Sequence, residues 1–150
     1  MFRKILVPTD GSKPALRAAE ILAARLAPVQ GARVTVAVAI APMDWNLTAF
    51  DIDFVKEQNK QMRANAERVL EKTTAVFAKQ DIPYTTVVLE GNPVSAAIAH
   101  EACVGGYDLI AMSSRGMGKQ ADDLHYMGSV TEHVIRRVAI PVLVIPNVEE

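Results

Sequence analysis

Short apolar runs alternating with stretches of helical periodicity set the narrowest limit on how this chain can fold. Ile5-Leu6-Val7 is closed by Pro8, Val34, Val36, Val38 and Ile40 alternate with small residues before Pro42, and Tyr84 to Leu89 follows Pro83. Leu109 to Met112 and Ile140 to Pro146 complete a set of five. Short runs with little alternation between apolar and polar residues suit strands of a parallel sheet covered on both faces. Between them, Ser12 caps a helix with Pro14 in its first turn, where Ala15, Ala18, Ala19, Leu22 and Leu26 recur at helical spacing until Pro28. A longer helix spans roughly Asp51 to Lys79, with Val55, Met62, Ala66, Val69, Val76 and Phe77 on one stripe. A third carries Val94, Ala97, Ile98 and Ala102 and ends at Gly105-Gly106, and a fourth opens at Gly128-Ser129. Helices that connect parallel strands must cross over the sheet, and they do so right-handedly. The expected architecture is therefore an α/β fold, an open five-stranded parallel sheet of order 3-2-1-4-5 with helices on both faces. A chain of 150 residues holds it as a single domain, 1–150.

In such a sheet, ligands bind beyond the carboxyl ends of the strands where the strand order reverses, here between the first and the fourth. The unusual chemistry of the sequence is concentrated at that point. Pro8-Thr9-Asp10-Gly11-Ser12 follows the first strand, and Ser113, Ser114, Arg115, Gly116, Gly118 and Lys119 follow the fourth, ahead of Gly128-Ser129 at a helix start. Glycines let a phosphate approach the backbone, a helix start points free N–H groups at an anion, and hydroxyls and cations add hydrogen bonds. The helix start supports two readings. It is an anion site, or it is a capping box in which Ser129 and Glu132 of Ser129-Val130-Thr131-Glu132 satisfy each other's orphan donors. Asp10 likewise forms the turn beside Gly11 or hydrogen-bonds a ligand, and the two roles are compatible. Asp122 and Asp123 read as a solvated loop tip or as ligands to Mg²⁺, with Arg115 and Lys119 offsetting their charge.

Composition narrows the remaining classes. A net charge of -1 with 22% charged residues provides no basic surface, so no nucleic-acid partner is expected. No apolar run approaches the roughly 18 residues of a membrane span. The start, Met1 to Val7, lacks the apolar core of a signal peptide, so a cytoplasmic protein without membrane association is expected. Cys103 lies in an apolar helical segment and is expected to be a buried structural thiol, and with His100 it makes too small a set for a metal site. Trp45, in a loop from Met43 to Phe50, is expected to cover a core edge. His125 and His133 read as single surface histidines, and no Walker loop with its Lys-Ser or Lys-Thr pair is present, so no residue stands out as catalytic.

Beyond this physical reading, the chain resembles the universal stress protein family in its single-domain form, with that family's adenine nucleotide alpha-hydrolase-like architecture. Lys4-Ile5-Leu6-Val7-Pro8-Thr9-Asp10-Gly11-Ser12 matches the family's opening, Glu90-Gly91-Asn92-Pro93 its middle turn, and Gly128-Ser129-Val130-Thr131-Glu132 with Pro141-Val142-Leu143-Val144 its ending. The family's ATP-binding branch carries Gly, two residues, Gly, nine residues, then Gly-Ser or Gly-Thr. Here Ser113 stands in the place of the first Gly, Gly116 is the second, and eleven residues precede Gly128-Ser129. In the second register, from Gly118 to Gly128, the nine-residue gap is kept but Arg115 takes the first Gly position. The resemblance implies adenine and ribose near Thr9, Asp10, Ala39 and Met112, and phosphates at Gly116, Gly128, Ser129, Val130 and Thr131. Pro8, Ser113, Arg115 and Gly118 complete that set. It implies ATP or another adenine nucleotide as cofactor, with or without Mg²⁺, in a regulatory or stress-response role. Two alternatives follow from the same family: a member that binds no nucleotide and acts through dimerisation and protein contacts, and a slow ATP hydrolase. It also implies a homodimer through Val142, Leu143 and Val144 of the last strand, which lies at a sheet edge without a charged residue.

Overall fold

The computed structural model describes residues 1–44, 46, 51–117 and 127–147. Its elements run β1 (Lys4–Pro8), α1 (Lys13–Leu26), β2 (Arg33–Ile40), α2 (Ile52–Ala78), β3 (Tyr84–Glu90), α3 (Val94–Val104), β4 (Leu109–Ser113), α4 (Ser129–Arg137) and β5 (Val142–Ile145). The five strands form one sheet of order β3-β2-β1-β4-β5, and every neighbouring pair is parallel. This is the architecture expected from the alternation of strands and helices.

Successive residues of a strand point to opposite faces, so an unbroken apolar run needs a core on each side. Both cores are present. Ile5, Val7, Val34, Val36 and Val38 pack with Leu22, Ala66, Leu70 and Phe77 of α1 and α2 on one face. Leu6, Ala37, Ile110 and Met112 pack with Ile98, Ala102 and Val134 of α3 and α4 on the other. Ile5 and Leu6, adjacent in sequence, are each 0% exposed. Full burial of such a side chain stabilises by about 1.5–3 kcal/mol.

The stripe of α2 is wider than its apolar residues indicate. Val55, Ala66 and Phe77 are buried as expected and Met62, Val69 and Val76 pack against the core, but Leu70, Thr73 and Thr74 are buried with them. Thr73 and Thr74 tolerate this because their hydroxyls donate to the carbonyls of Val69 and Glu71 at 2.8 and 3.1 Å. Cys103 is exposed, contrary to the expectation of a buried thiol. The inner face of α3 is Ser95, Ile98, Ala99 and Ala102. One further residue turns the helix by about 100°, which carries Cys103 to the outer side. Trp45 lies outside the described residues. Among the described residues no helix is long and apolar enough to cross a membrane.

At the amino end of the sheet the start of β1 is fastened to the start of β4. Asp108 accepts the backbone N–H groups of Arg3 and Lys4 at 3.0 and 2.7 Å. Lys4 Nζ donates to the carbonyl of Gly105 and lies 4.8 Å from the ring centroid of Tyr107, whose hydroxyl donates to Glu101. Burial raises the Tyr107 pKa above the ordinary value.

Candidate functional site

At the carboxyl end, β1 runs out at Pro8, opposite Ala37 of β2. The N–H of Thr9 adds one more bond to Ala37 O at 2.9 Å before the chain turns away. Gly11 makes that turn with φ +77°, and a Cβ there would stand 2.7 Å from Val69 Cγ2 of α2, so both backbone sterics and packing require glycine. Ser12 then caps α1 as expected, its hydroxyl accepting the N–H of Ala15 at 3.3 Å. Asp10 uses both oxygens: Oδ1 accepts the N–H of Ser12 at 2.9 Å, and Oδ2 accepts the N–H of Met117 at 3.2 Å. Ala39, two residues past the last β1 pairing, faces open space on that side.

The end of β4 is stitched to the start of α4 from both directions. The N–H of Gly128 donates to Ser114 O at 2.8 Å, and the hydroxyl of Thr131 donates to Ser113 O at 2.9 Å. The Ser113 hydroxyl donates to the carbonyl of Arg115, and Ser114 N–H is held by Ile145 O of β5 at 3.0 Å. The capping box does not form. Gly128 is the N-cap and Ser129 already the first helical residue, with no side-chain cap bond. Glu132 instead pairs with Arg136 at 2.6 Å. The physical reason is tertiary: Gly128, held by Ser114 O, takes the N-cap position, so Ser129 falls one residue inside the helix, where its hydroxyl no longer caps. The first-turn amides of α4 receive no side-chain cap bond among the described residues, and Glu132 supplies the one acidic group of that turn.

These segments enclose one crevice of about 420 Å³. Pro8, Thr9, Asp10, Ala39, Met112, Ser113, Arg115, Gly116, Gly128, Ser129, Val130 and Thr131 all line it. Gly118, with Lys119, Asp122, Asp123 and His125, lies outside the described residues. The wall also includes Ala15, Val94, Ile98 and Met117, which residue chemistry alone did not single out. Ala15 and Val94 sit in the first turns of α1 and α3, and α3, like α4, has no side-chain cap bond, its N-cap being Pro93. In a parallel sheet every crossover helix starts at the carboxyl edge, so three helix N-termini converge on the crevice. That convergence could be found in the topology, though not in the residue types. Among the described lining residues Asp10 and Arg115 carry the charges; Arg115 is 8% exposed. Much of the rest of the wall is apolar. His133 is exposed on α4 and does not line the crevice. The arrangement suits a flat apolar group bearing an anion.

Comparison with known proteins agrees with the fold and places the chain. The sequence profile of the universal stress protein family matches residues 1–146. A universal stress protein of Thermus aquaticus is 32% identical over 148 residues, 97% of this chain and 99% of the relative. Among solved structures, the hypothetical protein MJ0577 superposes with a TM-score of 0.84 at 26% identity, covering 100% of this chain and 99% of that one. A universal stress protein solved in complex with cAMP superposes with a TM-score of 0.69 at 25% identity, covering 96% and 97%. The chain belongs to the universal stress protein family.

Proposed function

We propose that this protein binds an adenine nucleotide in the crevice between β1 and β4 and acts as a regulatory nucleotide-binding protein. The observation that carries the reading is the uncapped start of α4, Gly128 to Thr131, at the wall of an otherwise largely apolar cavity. Backbone N–H groups there would hold the phosphate. The base would lie against Met112, Ile98 and Val94, with the backbone of Ala39, beyond the end of β1, reading its edge. A crevice of about 420 Å³ falls within the usual range for small-molecule sites. The family member solved with cAMP, 25% identical, supports the same chemistry.

Mass spectrometry of the ligand released on denaturing freshly purified protein tests the reading directly. Calorimetry with ATP, ADP, AMP and cAMP follows, with micromolar or tighter affinity expected for at least one. No heat from any of the four would refute it and favour a member that works through protein contacts alone.

The edge strand supports a second part of the proposal. Among the described residues β5 pairs only with β4, at the end of the sheet, and Leu143 is 43% exposed. We infer a two-fold homodimer in which β5 pairs antiparallel with its copy through Val142, Leu143 and Val144. Light scattering on the wild type and on Leu143→Lys decides this. A monomeric wild type, or a dimer indifferent to the new charge, would refute the interface.

A further inference from the structure

Asparagine is a poor residue for the interior of a helix, because its carboxamide competes for backbone groups. Asn59 nevertheless sits in α2, about two turns past the N-cap Asp51, and its side chain is engaged outside the helix. Oδ1 accepts the N–H of Met43 at 2.8 Å, and Nδ2 donates to the carbonyl of the same residue at 3.0 Å. Both polar ends of the carboxamide therefore meet both polar groups of one backbone residue, much as a residue of a neighbouring strand would. Met43 lies just beyond the end of β2 at Ile40. Nearer the strand, the N–H of Gly91 donates to Ile40 O at 3.0 Å. The chain leaving β2 is thus pinned at Ile40 and again at Met43, with Ala41 and Pro42 between. Ala39, immediately before the first pin, lines the crevice beyond the last pairing of β2 with β1. Asn59 itself does not line the crevice.

We propose that Asn59 is a positioning residue for the base end of the site: through Met43 it fixes the course of the chain leaving β2, and with it the backbone edge of Ala39. That role rests on the nucleotide reading above, whereas the two-point bond to Met43 does not. A backbone edge selects a base by the match of its donors and acceptors, and the match holds only while the edge keeps its place. Fixing the edge in the ligand-free protein removes ordering that the base would otherwise have to impose.

Asn59→Ala removes both bonds and puts a better helix former into α2, so the fold is retained. Amide hydrogen exchange on the ligand-free protein comes first. Exchange at Met43 is expected to rise about tenfold or more in the variant, while Gly91 keeps its rate. Lys60→Ala, at the exposed position next to it, is the control and should change nothing. Unchanged exchange at Met43 in Asn59→Ala would overturn the two-point bond. Calorimetry with AMP and inosine monophosphate then reads the positioning role, because the two ligands share ribose and phosphate and differ at the 6-position of the base. The preference for AMP is expected to fall about threefold or more in Asn59→Ala, through weaker binding of AMP. An equal loss for both ligands, or no loss, would overturn the role, since neither reports on the base edge. A wild type that binds AMP without preferring it would also overturn the role and leave nucleotide binding standing. A wild type that binds neither ligand would sink the nucleotide reading and the role with it, while exchange at Met43 still decides the bond.

Discussion

Replacing Gly11 by alanine probes the contact that shapes the site from behind. At φ +77° the left-handed backbone costs a residue with a Cβ about 1–2 kcal/mol. The added carbon would meet Val69 Cγ2 at 2.7 Å and Cγ1 at 3.2 Å, so turning one methyl away does not relieve the other. Overpacking of this kind adds about 1–3 kcal/mol. Gly11→Ala should therefore lose about 2–5 kcal/mol, a fall in Tm of roughly 4–20 °C for a domain of this size. Val69 is half-buried, and Val69→Ala alone should cost about 1 kcal/mol. In the double variant the collision is gone but the backbone strain remains. The two substitutions should then couple favourably by about 1–3 kcal/mol. Urea midpoints of the four proteins complete the cycle. Additive losses would show that the two residues are not in contact, and a Gly11→Ala protein as stable as the wild type would refute the left-handed turn as well.

Two further substitutions test other parts of the molecule. The Ser95 hydroxyl is buried with no hydrogen-bond partner among the described residues, so Ser95→Ala should be neutral or stabilising by up to about 1 kcal/mol in thermal melts; a clear loss would reveal a partner. The backbone N–H groups of Arg3 and Lys4 outweigh desolvation and hold the Asp108 carboxyl below its ordinary value. A depressed folded pKa contributes stability above the unfolded value of about 3.9 and loses it as pH falls through the folded one. Asp108→Asn should accordingly lower the urea midpoint at neutral pH, with the gap from wild type closing as pH falls below the unfolded value of about 3.9. An equal gap at both extremes would mean that the charge is not what matters.

The sheet order and the position of the crevice could be read from the sequence because both depend on patterns that survive folding. Alternation of apolar runs with helical stripes fixes layers, and the reversal of strand order fixes where two loops meet. What could not be read depended on neighbours. Thr73 and Thr74 are polar by composition yet buried, since carbonyls one turn back satisfy them. Cys103 sits in an apolar stretch but one residue past the inner face. The Ser129 to Glu132 pattern fits a capping box locally, but Gly128 is held by Ser114 O, adjacent only in the folded molecule, and takes the N-cap position in place of Ser129. Val94 and Ile98 look like ordinary core residues of α3 until the helix is docked with its first turn against the crevice.

The fastening of β1 to β4 also sets an order of assembly. β1 lies in the middle of the sheet, and its neighbour β2 follows after one helix, but its other neighbour is tied to it across 105 positions by Asp108 and Arg3. Closing so long a loop comes late, because its entropy must be overcome before the contacts that reward it exist. As the chain leaves the ribosome, β1, α1, β2, α2 and β3 can gather into a half-sheet, whereas the crevice has no second wall until Ile110 pairs with Leu6 and Ser114 reaches Ile145. Ligand binding would then be the last property the nascent chain acquires, and a bound nucleotide would mark a molecule whose folding is finished.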